Sequence, residues 1–138
     1  MRSNVQPEEC QTAINLTEYW RRDNNGGDIK PGGMYNCDPQ AMTPRQWFRF
    51  TGDAGNMMLD SCPPPNSCGT RGGLWTNEEM PSTVGVAAAR QAFGSWESNC
   101  KTFYFPILVI RCSYDTPYDF IYKLNVPIGF CPYSFCGM

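Results

Sequence analysis

The chain has 138 residues, 11 basic against 13 acidic side chains, a net charge of −2 and no histidine. That length makes one domain, and 41% hydrophobic content supports a modest core. With no basic cluster beyond Arg21-Arg22, no field steers the chain to nucleic acid or an anionic bilayer, and the missing histidine removes the commonest general base and metal-binding nitrogen.

Eight cysteines stand among 13 glycines, 12 prolines and 14% aromatic residues, the profile of a secreted, cross-linked domain. Met1 to Glu9 holds no apolar core of a signal peptide, so export has to be directed by residues outside this sequence. The longest apolar run, Phe103 to Ile110, is broken by Pro106 and is too short for a membrane span, so no direct membrane insertion is expected.

Taken in order, residues 1–9 are expected to be a tail and 10–138 the domain. From Cys10 to Trp20 the apolar positions suit a short helix or an irregular arm, and Asp23 to Gly27 and Pro31 to Gly33 rule out regular structure until Met34. Asn15-Leu16-Thr17 is a standard sequon and predicts a glycan on Asn15. Gln46 to Thr51 and Asn56 to Cys62 alternate partially and flank Gly52, Asp53 and Gly55, which predicts an antiparallel hairpin ending at Cys62. Three prolines then stop the strand and present Cys68 nearby.

Arg71-Gly72-Gly73 suits a loop, Leu74-Trp75 a short apolar anchor and Thr76 to Pro81 a turn. Val84 to Phe93 divides between strand and helix propensity, and its context favours a strand. Gly94 to Asn99 suits a turn. Phe103 to Cys112 predicts a buried strand, and Tyr118 to Leu124 a half-solvated one with Asp119, Ile121 and Lys123 facing water. Together these predict an all-β or β-rich α+β fold: a small disulfide-stapled antiparallel domain, sandwich-like, with long irregular loops.

Chemistry finds little support. The carboxylate pairs Glu78 with Glu79, Asp53 with Asp60 and Asp115 with Asp119 lie in polar turns, where solvation is the ordinary state and no pocket separates their acidities. No catalytic residue, metal or cofactor is therefore expected. The cysteine spacings suit disulfides better than zinc, and the oxygen ligands Asp53, Asn56 and Asp60 are better explained as turn formers than as a calcium loop. Among the many aromatics, Trp96 in its polar turn, and Trp75 after it, are the candidate ligand contacts.

Cys37-Asp38 before Trp47-Phe48-Arg49-Phe50, then Gly52 to Gly55, Cys62, Cys68-Gly69-Thr70, Trp75 with Pro81, Cys112, and Tyr122-Lys123-Leu124 before Cys131 and Cys136 form an ordered set. In that order the chain resembles the eight-cysteine module shared by uromodulin, pancreatic zymogen-granule glycoprotein 2 and liver-specific zona pellucida protein. Eight cysteines alone allow on the order of a hundred connectivities. The resemblance implies Cys10–Cys112, Cys37–Cys131, Cys62–Cys100 and Cys68–Cys136. It also implies a non-enzymatic extracellular module of a matrix or cell-surface glycoprotein, beside EGF-like or zona pellucida domains, with extracellular glycoproteins or lectins as partners. A lectin-like or protein-binding module working through exposed aromatics is the alternative. In the family's ten-cysteine version the extra two align with Phe93 and Lys101. Its glycan near the position of Lys123 has no counterpart in Lys123-Leu124-Asn125.

Overall fold

The computed structural model describes residues 7–22, 37–38, 45–124 and 133–138. A short helix, α1 (Glu8–Thr12), leads into strands β1 (Ile14–Leu16), β2 (Phe48–Phe50), β3 (Gly72–Trp75), β4 (Ala88–Trp96), β5 (Asn99–Arg111), β6 (Phe120–Lys123) and β7 (Tyr133–Phe135). They form one curled sheet in the order β1-β2-β6-β5-β4-β3-β7, a small β-rich domain. The interior pairings are antiparallel, while β1 with β2 and β3 with β7 run parallel.

The long β4–β5 hairpin is the centre of the sheet. Its strands are paired from Ala88↔Val109 to Trp96↔Asn99, so the strand continues through Gly94 and Ser95, where the sequence suggests a turn. The reversal occurs at Glu97 and Ser98, with Glu97 at φ 53°. Pro106 sits opposite Gln91 within β5. It is tolerated because β6 takes up the other side of β5 only from Leu108 onward, leaving the proline locally on an edge.

Alternation along β5 divides the molecule into two faces. Phe105, Ile107 and Val109 point into the main core, which gathers Leu16, Phe48, Phe50, Met58, Leu74, Tyr122 and Phe135 from the other strands. On the opposite face two smaller clusters are built on sulfur: Cys10 and Cys112 with Ile110 and Ile121, and Cys68 and Cys136 with Trp75 and Phe93. The first of these explains why β6 is not half-solvated. Phe120 and Tyr122 enter the main core, and Ile121, on the expected wet side, is sealed beneath the Cys10–Cys112 cluster.

The predicted hairpin after β2 does not form. Gly52–Ala54 makes a 3-10 turn, and β2 pairs instead with β1 and β6. The following segment goes to the far end of the chain: Asn56 and Met57 N–H donate to the Met138 carbonyl at 2.7 and 3.3 Å, and Leu59 N–H to the Cys136 carbonyl at 2.9 Å. Gly137 N–H in turn donates to the Arg21 carbonyl at 2.8 Å, so the last residues close the curl. Only glycine fits there, since a Cβ on Gly137 would lie 2.0 Å from the Ala54 carbonyl oxygen.

Gly72 and Gly73 are likewise strand, not loop. Cβ atoms on them would come within 2.3 Å of the Tyr133 ring and 2.8 Å of Cys136 Sγ, so the missing side chains let β7 and its neighbouring cystine press against β3. The N-terminal arm is part helix and part strand, and α1 already begins at Glu8, inside the expected tail. The irregular stretch expected between Asp23 and Gly33 lies outside the described residues. Among those described, no helix is long and apolar enough to cross a membrane.

Candidate functional site

Covalent links place the arm and loops on this sheet. Cys10 in α1 is bonded to Cys112 just after β5, Cys62 to Cys100 at the start of β5, and Cys68, in the loop before β3, to Cys136 just after β7. The Cα separations are 5.9, 5.6 and 5.4 Å, and the bridged residues stand 102, 38 and 68 positions apart. Cys37 is also disulfide-bonded; its expected partner, Cys131, lies outside the described residues. In the chain-entropy description, loops of these lengths each restrict the unfolded chain by about 4–5 kcal/mol, and the terms do not simply add.

Sequence reasoning missed a buried ion pair that fastens the same corner. The Arg21 guanidinium, 3% exposed, donates to Asp38 Oδ2 at 2.7 Å and Oδ1 at 2.9 Å, and to the Phe135 carbonyl at 3.2 Å. Asp38 Oδ2 also accepts the Phe135 N–H at 2.7 Å. Glu18 adds a second carboxylate, accepting from Arg21 Nε at 3.1 Å. Burial by itself pushes the Arg21 pKa down, but the charges and hydrogen bonds of Asp38 and Glu18 outweigh it and hold the guanidinium above its ordinary value. The available signal was Asp38 beside Cys37, an acid fixed next to a bridging cysteine.

The candidate contact residues part company. Trp75 is 4% exposed, its ring centroid 5.2 Å from that of Phe93 and its indole N–H bonded to the Cys100 carbonyl, so the ring has no face left for a ligand. Trp96 is half-buried at the end of β4, between Tyr133 and the Arg71 guanidinium, 5.0 Å from its ring. The exposed aromatic rings are instead tyrosines: Tyr104, at 70%, and Tyr19, Tyr114 and Tyr118, each a little over half exposed. Asn15 is exposed in β1, opposite Arg49 of β2, at one end of the sheet.

The acids do not converge. Asp53 lies exposed in the 3-10 turn after β2 and Asp60 exposed in the next loop, and among the described residues no cluster of three or more acidic or cysteine ligands is placed to hold a metal ion. Asp119 pairs with Arg49 at 3.0 Å, and Arg49 also donates to the Cys10 carbonyl at 2.8 Å, which fixes the arm to β2.

Residues 48–137 match the family model of the uromodulin-like eight-cysteine domain. The chain belongs to that family. It is 33% identical over 128 residues to mouse uromodulin, covering 92% of this chain and 18% of the relative. It is 33% identical over 117 residues to the dog pancreatic secretory granule membrane major glycoprotein GP2, and 27% over 103 residues to the human protein of that name. These alignments cover 84% and 75% of this chain and 21% and 18% of the relatives. The chain thus spans about a fifth of the length of the curated relatives it matches.

Within this uromodulin-like domain, Phe93 and Lys101, where the resemblance puts the extra cysteines of the ten-cysteine version, touch each other. Lys101 Nζ lies 4.4 Å from the Phe93 ring centroid. A cation–π contact therefore covers the cluster formed by Trp75, Phe93 and the Cys68–Cys136 bridge.

Proposed function

We propose that this uromodulin-like domain is a non-enzymatic extracellular module, residues 10–138, of a secreted or cell-surface glycoprotein, carrying a glycan on Asn15 and spacing neighbouring domains of EGF-like or zona pellucida type. The observation that carries the reading is the cross-linked frame. Disulfides join residues remote in sequence, no described cysteine is free, and such links persist in oxidising compartments. The printed names of the GP2 relatives, secretory granule membrane glycoproteins, agree with export.

Asn15 has the exposure that glycan transfer needs. A glycan on β1, the first strand in the sheet order, would also shield that edge from pairing with other chains. The test is expression behind a heterologous signal peptide in mammalian cells. We expect medium-borne protein that shifts on peptide-N-glycosidase digestion, no shift for Asn15→Gln, and non-reducing peptide maps with Cys10–Cys112, Cys37–Cys131, Cys62–Cys100 and Cys68–Cys136. Retention inside the cell with reactive thiols, or a local Cys62–Cys68 bridge, defeats the proposal.

A lectin-like or protein-binding role is the second reading, favoured by the exposure of Tyr104 and Tyr118. A glycan array probed with folded and with reduced protein separates the two. Binding that requires the fold but not the Asn15 glycan supports the second.

A further inference from the structure

A groove of about 370 Å³ opens between the loop after β3, the segment that leads from Met57 to Asp60, and the turn before β6. Its floor is apolar and deformable: Met57 and Met80 are half-buried, Phe120 is buried and Tyr118 presents half its ring to solvent. The rim carries Asp60, Glu78 and Glu79, all exposed, and none of them is ion-paired to a described residue.

Local structure holds the rim in place. Thr76 Oγ1 donates to the Gln91 carbonyl at 2.6 Å and accepts the Glu78 N–H at 3.2 Å, which turns the chain at the end of β3. Glu78 Oε1 then accepts the Gln91 N–H, anchoring the loop on β4. The neighbouring cation makes no ion pair with a rim carboxylate. Arg90 donates to the main-chain carbonyls of Glu79, at 2.6 Å, and Ala89, at 2.8 Å, so the Glu79 carboxylate is left to solvent.

Negative rim and thioether-aromatic floor together describe one kind of guest. A long alkyl stem packs on methionine sulfur and methyl, a planar cation lies on a tyrosine face, and its N–H fork engages two carboxylates at once. Arginine meets all three conditions; lysine lacks the plane and the fork. We propose that this groove docks an arginine-bearing, otherwise apolar segment of a partner protein. The partner is recognised by charge and stem length, independently of any glycan on Asn15.

The probe is the peptide acetyl-Leu-Arg-Leu-Arg-amide, titrated into protein carrying ¹³C-methyl methionine and followed by NMR. The Met57 and Met80 methyl signals are expected to move saturably, and a peptide with glutamine for arginine is expected to move them little. Replacing the two exposed acids that do not anchor the loop, Asp60→Asn with Glu79→Gln, should weaken binding about five- to tenfold, the loss of two solvent-exposed ion pairs. On the unaltered chain, raising the salt concentration should weaken binding too, which keeps the test decisive if the double variant fails to fold. The proposal is overturned if the two methyls stay put, if the glutamine peptide binds as well, or if calcium alone reproduces the shifts and displaces the peptide. None of these outcomes touches export or glycosylation, so the extracellular reading stands or falls separately.

Discussion

Replacing Asp38 with alanine should be as costly as truncating a buried aromatic residue of the core. Asp38 supplies three short hydrogen bonds at once, two from Arg21 and one from the Phe135 amide, all buried. In Asp38→Ala the guanidinium keeps Glu18, itself partly solvated, the Phe135 carbonyl and the Trp20 ring, while the Phe135 N–H loses its acceptor. Breaking a buried ion pair from one side costs about 3–5 kcal/mol, because the surviving charge remains desolvated. The double variant Arg21→Met with Asp38→Leu removes both charges and leaves apolar groups in their place, so it should cost at least about 2 kcal/mol less than the single changes Arg21→Met and Asp38→Leu summed. Urea unfolding at neutral pH with the disulfides intact reads all four states of the cycle. Arg21 stays charged throughout any practical pH range, since its pKa is raised, so titration of the arginine does not blur the comparison. A loss below about 1 kcal/mol for Asp38→Ala, or strict additivity in the double variant, would refute the role given to the pair.

Three further outcomes follow from single residues. Burial pushes the Tyr122 phenol well above its ordinary value near 10, against the smaller opposing pull of the Met58 N–H donated to it at 3.1 Å. Because the folded value is raised, the stability linked to this group is fully present below pH ~10. It falls by up to about 1.4 kcal/mol per unit as the unfolded chain alone ionises above that; Tyr122→Phe should flatten this alkaline limb while costing about 1–3 kcal/mol at neutral pH for the unsatisfied Met58 amide. Glu97→Gly should raise the urea midpoint by the equivalent of about 1 kcal/mol, because glycine accepts the left-handed backbone at the β4–β5 reversal and the exposed 3.5 Å contact with Arg71 contributes little; an unchanged or lower midpoint counts against the strain. Gly137→Ala should destabilise by about 1–3 kcal/mol or more, since its methyl meets the Ala54 main chain, and thermal unfolding followed by near-ultraviolet circular dichroism would register it.

The sequence is most informative where a residue type dictates its own surroundings. Eight cysteines with turn residues between apolar runs point to a small β domain, and Phe103 to Cys112 is recognisable because the middle of β5, from Phe103 to Val109, alternates between core and surface. Local patterning fails wherever the true partner is remote. Gly52 to Gly55 has hairpin composition, yet Asn56 to Leu59 bond to Cys136 and Met138. Nothing close to Asp53 in the chain carries that information. Ile121 looks solvent-facing because a strand pattern cannot show that a cystine will roof it. Trp75 looks available because its neighbours Thr76 to Glu79 are polar, but its ring turns back against Phe93 on another strand, beneath Lys101. Arg21 and Asp38 are invisible as a pair for the same reason: each becomes meaningful only once Phe135 of β7 lies between them.

That late closure shapes how the molecule has to be made. Cys10 emerges from the ribosome 102 residues before Cys112, roughly 5–20 s at ordinary synthesis rates, and the residues that complete the curl follow later still. During that interval the nascent chain presents open thiols and unpaired β segments, so premature bridges have time to form, and yield should rise with the supply of an isomerase able to undo them.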